Sequence, residues 1–194
     1  MAETQHARDT GTAERALDVA EALAQTRGFN GFSYAHVAAD LGITKASLHY
    51  HFPGKAELGE ALITRYSERF ASALARIDDE RPTARDRLEA YIGLYADVLS
   101  GRRMCLCGML AAEYETLPAS MADAIIRFFD ANQAWLTGVL EGGRADGTLS
   151  FTGDAGEAAQ AVIGTLEGAM LFARPYHDLS RFHAAARRLL EGLT

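Results

Sequence analysis

The sequence predicts an all-α protein in two parts. An N-terminal three-helix domain with a helix-turn-helix occupies residues 1–55, and a second helical body occupies residues 56–194. Three observations point there. Apolar residues recur at three- and four-residue spacing along most of the chain, which gives each segment one face to bury. No segment shows the alternation of a half-buried strand. Near residue 42 two short periodic stretches are joined by a glycine-containing turn, as in a helix-turn-helix.

The elements follow in order. From Ala13 the positions Ala13, Leu17, Ala20, Leu23 and Ala24 trace one face of an amphipathic helix, which Gly28 stops. Phe29 and Phe32 lie in the loop after it. Ser33 is a suitable N-cap for "YAHVAADL", with Tyr34, Val37, Ala38 and Leu41 on one side and Gly42 at the end. Thr44 caps a third helix, kept brief because the residue before Pro53 is pushed out of the α region. The long segment "AELGEALITRYSERFASALARI" carries Leu58, Leu62, Tyr66, Phe70 and Leu74 near one stripe. Pro82 and Thr83 open the next helix, closed by Gly101, and Pro118 begins another that runs to the glycines at Gly142 and Gly143. After a loop come "AGEAAQAVIGTLEGAMLFAR" and the last helix, "RFHAAARRLLEGL".

Composition narrows the function. A chain of 194 residues that is 48% hydrophobic can bury a sizeable core. No run of 18 apolar residues offers a membrane span and the N-terminus lacks an apolar leader, so a cytoplasmic protein with no membrane partner is expected. The net charge of -7 argues against nonspecific polyanion binding, because that affinity grows with the cations presented. Charge is uneven, however. Residues 1–55 carry five basic against six acidic side chains, whereas the remainder carries fourteen against twenty. The only two lysines of the chain, Lys45 and Lys55, flank one short stretch, "TKASLHYHFPGK".

In that stretch Leu48 and Phe52 face a core by spacing, while Thr44, Lys45, Ser47, His49 and Tyr50 face outward. Cations and hydroxyls of this kind bond phosphates and base edges, and a phenol can lie along the sugar-phosphate backbone. Both lysines are therefore expected to aim at phosphates. The longer segment "FSYAHVAADLGITKASLHYHFPGKAEL" resembles the DNA-binding signature of the TetR family of transcriptional regulators, and the match spans roughly residues 13–60. The resemblance places Ser33, Lys45, Ser47, His49, Tyr50 and Lys55 where that family contacts DNA. Phe32 and His36 depart from its pattern, standing where Thr and an acidic residue are common, and Ala46 replaces a frequent Gly.

Four sulfur side chains crowd into "MCLCGM". They admit two readings: adaptable apolar filling where a loop enters the core, or a thiol sensor whose pKa Arg102 and Arg103 would lower. A metal is disfavoured, since the Cys105/Cys107 pair has no nearby His. The segment "MCLCGMLAAEYETLP" is similar to a branch of the family in which some members respond to electrophiles through a cysteine here. That similarity makes Cys105 the better candidate and Cys107 an extra.

The aromatic and Met residues Tyr91, Tyr95, Met109, Phe128, Trp135 and Met170 read either as core or as the lining of a pocket for a small apolar ligand, with Glu113 as a polar contact. The resemblance implies a pocket in this region. Ala161, Gly164, Thr165 and Gly168 make one helix face nearly free of bulk, suited to close approach within the subunit or across a dimer. The resemblance implies a homodimer formed by the last two helices, where Leu189 joins that face. No nucleophile elbow, His-Glu-x-x-His or phosphate-cradling glycine loop occurs, so no catalytic residues, metal or cofactor are expected. The expected function is a ligand- or redox-responsive repressor that binds a pseudo-palindromic double-stranded operator as a homodimer and answers to a small-molecule inducer or electrophile. The alternative is an all-α cysteine-using enzyme or small-molecule carrier without specific DNA binding.

Overall fold

The structure, a computed structural model, describes residues 2–194, with side chains from Gly11 onward. It is all-α, as the periodicity predicts. Among the described residues the helices are α1 (Ala2–Arg27), α2 (Tyr34–Leu41), α3 (Lys45–His51), α4 (Lys55–Glu80) and α5 (Ala84–Ser100). They continue with α6 (Leu106–Ala111), α7 (Ala119–Asp146), α8 (Ala155–Ala173) and α9 (Leu179–Glu191), with 3-10 turns at Tyr114–Thr116 and Arg174–Tyr176.

Four boundaries differ from the sequence reading. Helix α1 starts well before Ala13. Helix α6 was not expected; with six residues it is too short for a period to show. Helix α7 runs through both glycines to Asp146, because Gly143 serves packing rather than termination. A Cβ there would come within 2.5 Å of Leu149 and 2.6 Å of Ala84. Helix α9 begins at Leu179, since the Asp178 carboxylate accepts from the Ser180 amide at 3.0 Å and supplies the N-cap.

By contact the described chain divides into two units, the first joining the chain up to Tyr66 to Leu106–Ile125, the second joining Ser67–Cys105 to Ile126–Thr194. Within the first unit the segment after Cys105 packs against the start of α4. Gly59 lies so close to Met121 that a Cβ would come within 2.5 Å of its sulfur, and the Ser120 hydroxyl bonds the Glu60 carboxylate.

In the first unit α1, α2 and α3 bury Ala16, Ala20, Ala24, Val37 and Leu48, all essentially inaccessible to solvent. Each fully buried Leu or Val of this set contributes roughly 1.5–3 kcal/mol. Arg65 on α4 fastens α1 by reaching Asp18 at 2.8 Å, Glu21 at 3.0 Å and Glu14 at 3.2 Å. Three of the acids in the N-terminal third are thereby neutralised away from α3. The second unit packs α8 against α9 and α5 around Leu88, Leu166, Met170 and Phe182. There Phe70 sets its edge against Tyr91, Tyr95 and Phe128, with ring centroids 6.1, 6.3 and 5.2 Å apart.

Candidate functional site

The turn between α2 and α3 is built by local chemistry. Gly42 takes a left-handed conformation, φ +67°, that a side chain rarely adopts, and the Ile43 amide bonds back to Ala38 at 3.0 Å. Thr44 Oγ1 accepts from the Ser47 amide at 3.1 Å and starts α3. At the entry to α2, His36 takes the place of the acidic residue common in this pattern, and its Nδ1 accepts from the Ser33 amide at 3.2 Å. Acceptance there requires the ring proton on Nε2. The Tyr34 hydroxyl lies 2.8 Å from the Phe52 carbonyl and 2.5 Å from that of Gly54, tying the end of α3 to the start of α2. Burial, aided by Glu57, pushes this phenol up to about 12, so it stays a donor.

Leu48 is fully buried and anchors α3, leaving Thr44, Lys45, His49 and Tyr50 exposed, Tyr50 by 75%, and Ser47 half-buried. His49 is partly committed: its ring packs on Tyr34 at 4.6 Å and its Nδ1 meets the Pro53 carbonyl at 3.0 Å. No carboxylate occurs between Asp40 and Glu57. At about 1.5 Å rise per residue, a seven-residue helix is of a size to enter a major groove about 12 Å wide.

Lys55 departs from the expectation that both lysines aim at phosphate. Its Nζ donates to the carbonyls of Phe29, at 2.5 Å, and Phe32, at 2.6 Å, and sits 4.4 and 4.5 Å from the centres of the two rings. A desolvated ammonium satisfied by two carbonyls and two aromatic faces is a structural pin. Burial holds it below its usual pKa, against the pull of Glu113. Glu113, expected as a polar contact for a ligand, caps the same turn: it accepts from the Phe29 amide at 2.6 Å and the Asn30 amide at 3.3 Å. Gly28, with φ +82°, makes room, since a Cβ there would stand 2.5 Å from Glu113 Oε1.

Of the other expected pocket residues, the second unit holds five, four of them in one aromatic cluster. The Tyr91 ring stacks on Trp135 with centroids 5.5 Å apart, and Tyr95 and Phe128 adjoin through Phe70. Met170 is buried on α8 in the same unit, whereas Met109 belongs with Glu113 to the first. Polar groups run through this aromatic cluster: the Tyr91 hydroxyl is 3.1 Å from that of Tyr95 and 3.4 Å from Asn132 Oδ1. Cys105 is buried, and its thiol hydrogen-bonds the carboxyl of Glu167. Cys107 is buried on α6 in the first unit. Glu167 and Asn132 escaped the sequence reading. The signal was present for Glu167, the only charged residue between Ala158 and Ala173. Among the described residues no group of three His, Cys, Asp or Glu is placed to hold a metal ion, and no helix is long and apolar enough to cross a membrane.

On α8, Ala161, Gly164 and Gly168 are exposed and Thr165 is half-buried, as is Leu189 on α9. A Cβ at Gly164 or Gly168 would meet nothing within 4 Å. Packing inside the subunit therefore does not account for either glycine. Leu171, Phe172 and Tyr176 continue the region as exposed large apolar side chains.

A helix-turn-helix head joined to a helical body defines a DNA-binding regulator, and comparison with known proteins agrees. Residues 16–62 match the tetR family of bacterial regulatory proteins, and residues 84–189 match the tetracyclin repressor-like C-terminal domain. The chain belongs to the TetR family of transcriptional regulators, DNA-binding proteins that act as dimers and respond to small molecules. A TetR-family regulator from Agrobacterium tumefaciens has the same fold, with a TM-score of 0.93 and 34% identity over 96% of this chain and 99% of that one. The transcriptional repressor NemR of Escherichia coli is 28% identical, with 84% of each chain covered. The nucleoid occlusion factor SlmA of Vibrio cholerae is 29% identical, with 78% of each covered.

Proposed function

We propose that this regulator represses transcription as a homodimer. Its α8 and α9 pair with those of a second copy, and each α3 enters the major groove of one half of a pseudo-palindromic operator in the cytoplasm. Phosphate and base contacts fall to Ser33, Thr44, Lys45, Ser47, His49 and Tyr50, while Lys55 acts indirectly by fixing the loop that carries α2. The observation that carries this reading is α3 itself, a short helix locked by Leu48 whose exposed face bears Lys45 and Tyr50 without a neighbouring carboxylate. The unfilled face around Gly164 and Gly168 supports the dimer. A small apolar ligand among Tyr91, Tyr95, Phe128, Trp135 and Met170, or modification of Cys105, releases DNA by favouring a state whose heads are wrongly spaced.

Selection of bound duplexes from a random library tests this. A two-fold symmetric consensus is expected, and Lys45→Ala and Tyr50→Ala should each weaken its binding roughly five- to hundredfold at matched salt. Parental affinity in both variants would remove α3 as the reader. Alkylation of the free protein should release the consensus duplex, with Cys105→Ala unaffected by the reagent.

A further inference from the structure

Glu167, half-buried on α8, stands out among the groups that the proposed DNA binding does not use. Its Oε1 is shut off from solvent with no hydrogen-bond partner, while its carboxyl bonds the Cys105 thiol. Idle buried carboxylate oxygens are costly and uncommon. The hydroxyls of Tyr91 and Tyr95, themselves bonded, interact electrostatically with both groups. A thiolate beside a carboxylate is disfavoured by like charge, so this is a poor place to store a preformed thiolate. It is a good place to pass a proton.

We propose that Glu167 is the proton acceptor for Cys105. As Sγ attacks a small neutral electrophile, its proton moves to the Glu167 carboxylate, so the thiolate and the carboxylate never coexist. With iodoacetamide the new bond is S–C, the broken bond is C–I, iodide leaves with the bonding pair, and the thiol proton ends on Glu167. Glu167 is thus a positioning and proton-accepting residue for a modification site; its use in regulation rests on the sensing role of Cys105 proposed above.

The groups around it give the reaction a distinctive pH dependence. Burial raises the Glu167 carboxyl to about 6, with the Cys105 hydrogen bond pulling the other way. The phenols that α5 turns toward it, Tyr91 and Tyr95, are held neutral by burial. Along α9, Arg181 is paired with Asp178 and lies over the Tyr176 ring, and Arg188 is paired with Glu191. The acceptor is available above about pH 6 and lost below it, whereas an unassisted thiol gains reactivity only toward its own pKa near 8.5.

Carbamidomethylation of the intact protein, followed from pH 5 to 9.5 with tandem mass spectrometry separating Cys105 from Cys107, tests the proposal. In the parent protein the Cys105 rate should rise through about pH 6 and level off. In Glu167→Gln it should be roughly tenfold slower at pH 7, then climb tenfold per pH unit and meet or pass the parent near pH 8, while Cys107 keeps its parental profile. A purely structural role for Glu167 gives no such crossover. Equal rates at pH 7, or a parental profile that climbs to 8.5 without levelling, overturn the assignment; so does a Cys105 that never reacts. Circular dichroism checks the variant's fold, and the parental profile alone decides if the variant misfolds. Operator binding by the alkylated protein is read separately. A crossover without DNA release leaves the proton acceptor and removes the sensor, and release without a crossover does the reverse.

Discussion

Lys45 and Lys55 are ten residues apart, and their surroundings give them opposite duties. Lys45 stands exposed in the first turn of α3, whereas Lys55 is enclosed by two carbonyls and two phenylalanine rings. Replacing Lys55 with Met keeps the bulk but leaves the Phe29 and Phe32 carbonyls without their donor. The expected result is a loss of about 1–3 kcal/mol in urea denaturation, with the salt dependence of operator binding unchanged. Lys45→Ala should do the opposite, keeping stability and lowering the slope of log affinity against log salt by about one. Exchanged outcomes would return Lys55 to the DNA surface. The chemistry of Glu113 makes the same point, because the carboxylate is occupied by the amides of Phe29 and Asn30 and so stabilises the loop before α2.

At the scale of elements, α3 is the shortest helix of the head and the one proposed to enter the groove. Seven residues are too few for a helix to persist alone. It is held by the Thr44 cap, the Leu48 anchor and the Tyr34 hydroxyl at its exit. Thr44→Ala should therefore lower stability by about 1 kcal/mol, and Thr44→Ser should restore most of it, in thermal or chemical melts. Indistinguishable melts for the two variants would show that the cap adds nothing. Helix α8 presents the contrasting design, long and well packed inside, where Leu166 and Met170 are fully buried, yet bare outside at Gly164 and Gly168.

Across the whole molecule, the proposed reading of a symmetric site needs two heads, and the bare face of α8 is the proposed dimer contact. Because a side chain at Gly164 or Gly168 meets nothing within the subunit, Gly164→Glu with Gly168→Glu should leave the monomer folded while placing like charges at the symmetric contact. Light scattering after size exclusion should show a shift from dimer to monomer at micromolar concentration, with an unchanged circular dichroism spectrum. A double variant that remains a dimer would move the interface to another surface.

Periodicity, the Gly42 turn and the cap at Thr44 are local properties, so the helical fold and the helix-turn-helix were legible in the sequence. So was the outward face of α3, because the spacing that buries Leu48 leaves Tyr50 exposed. Helix α6 was not legible, being shorter than the pattern that reveals a helix. The pairing of Lys55 with Phe29 and Phe32 spans up to 26 residues, that of Glu113 with Phe29 spans 84, and Cys105 meets Glu167 from a different element altogether. The sequence by itself determined the class of protein and which face of α3 is exposed, because both follow from contacts between near neighbours. Which cation is a pin and which faces solvent, and which carboxyl shares a proton with a thiol, were decided only by tertiary structure, where distant groups meet in a low dielectric and each partner sets the other's charge.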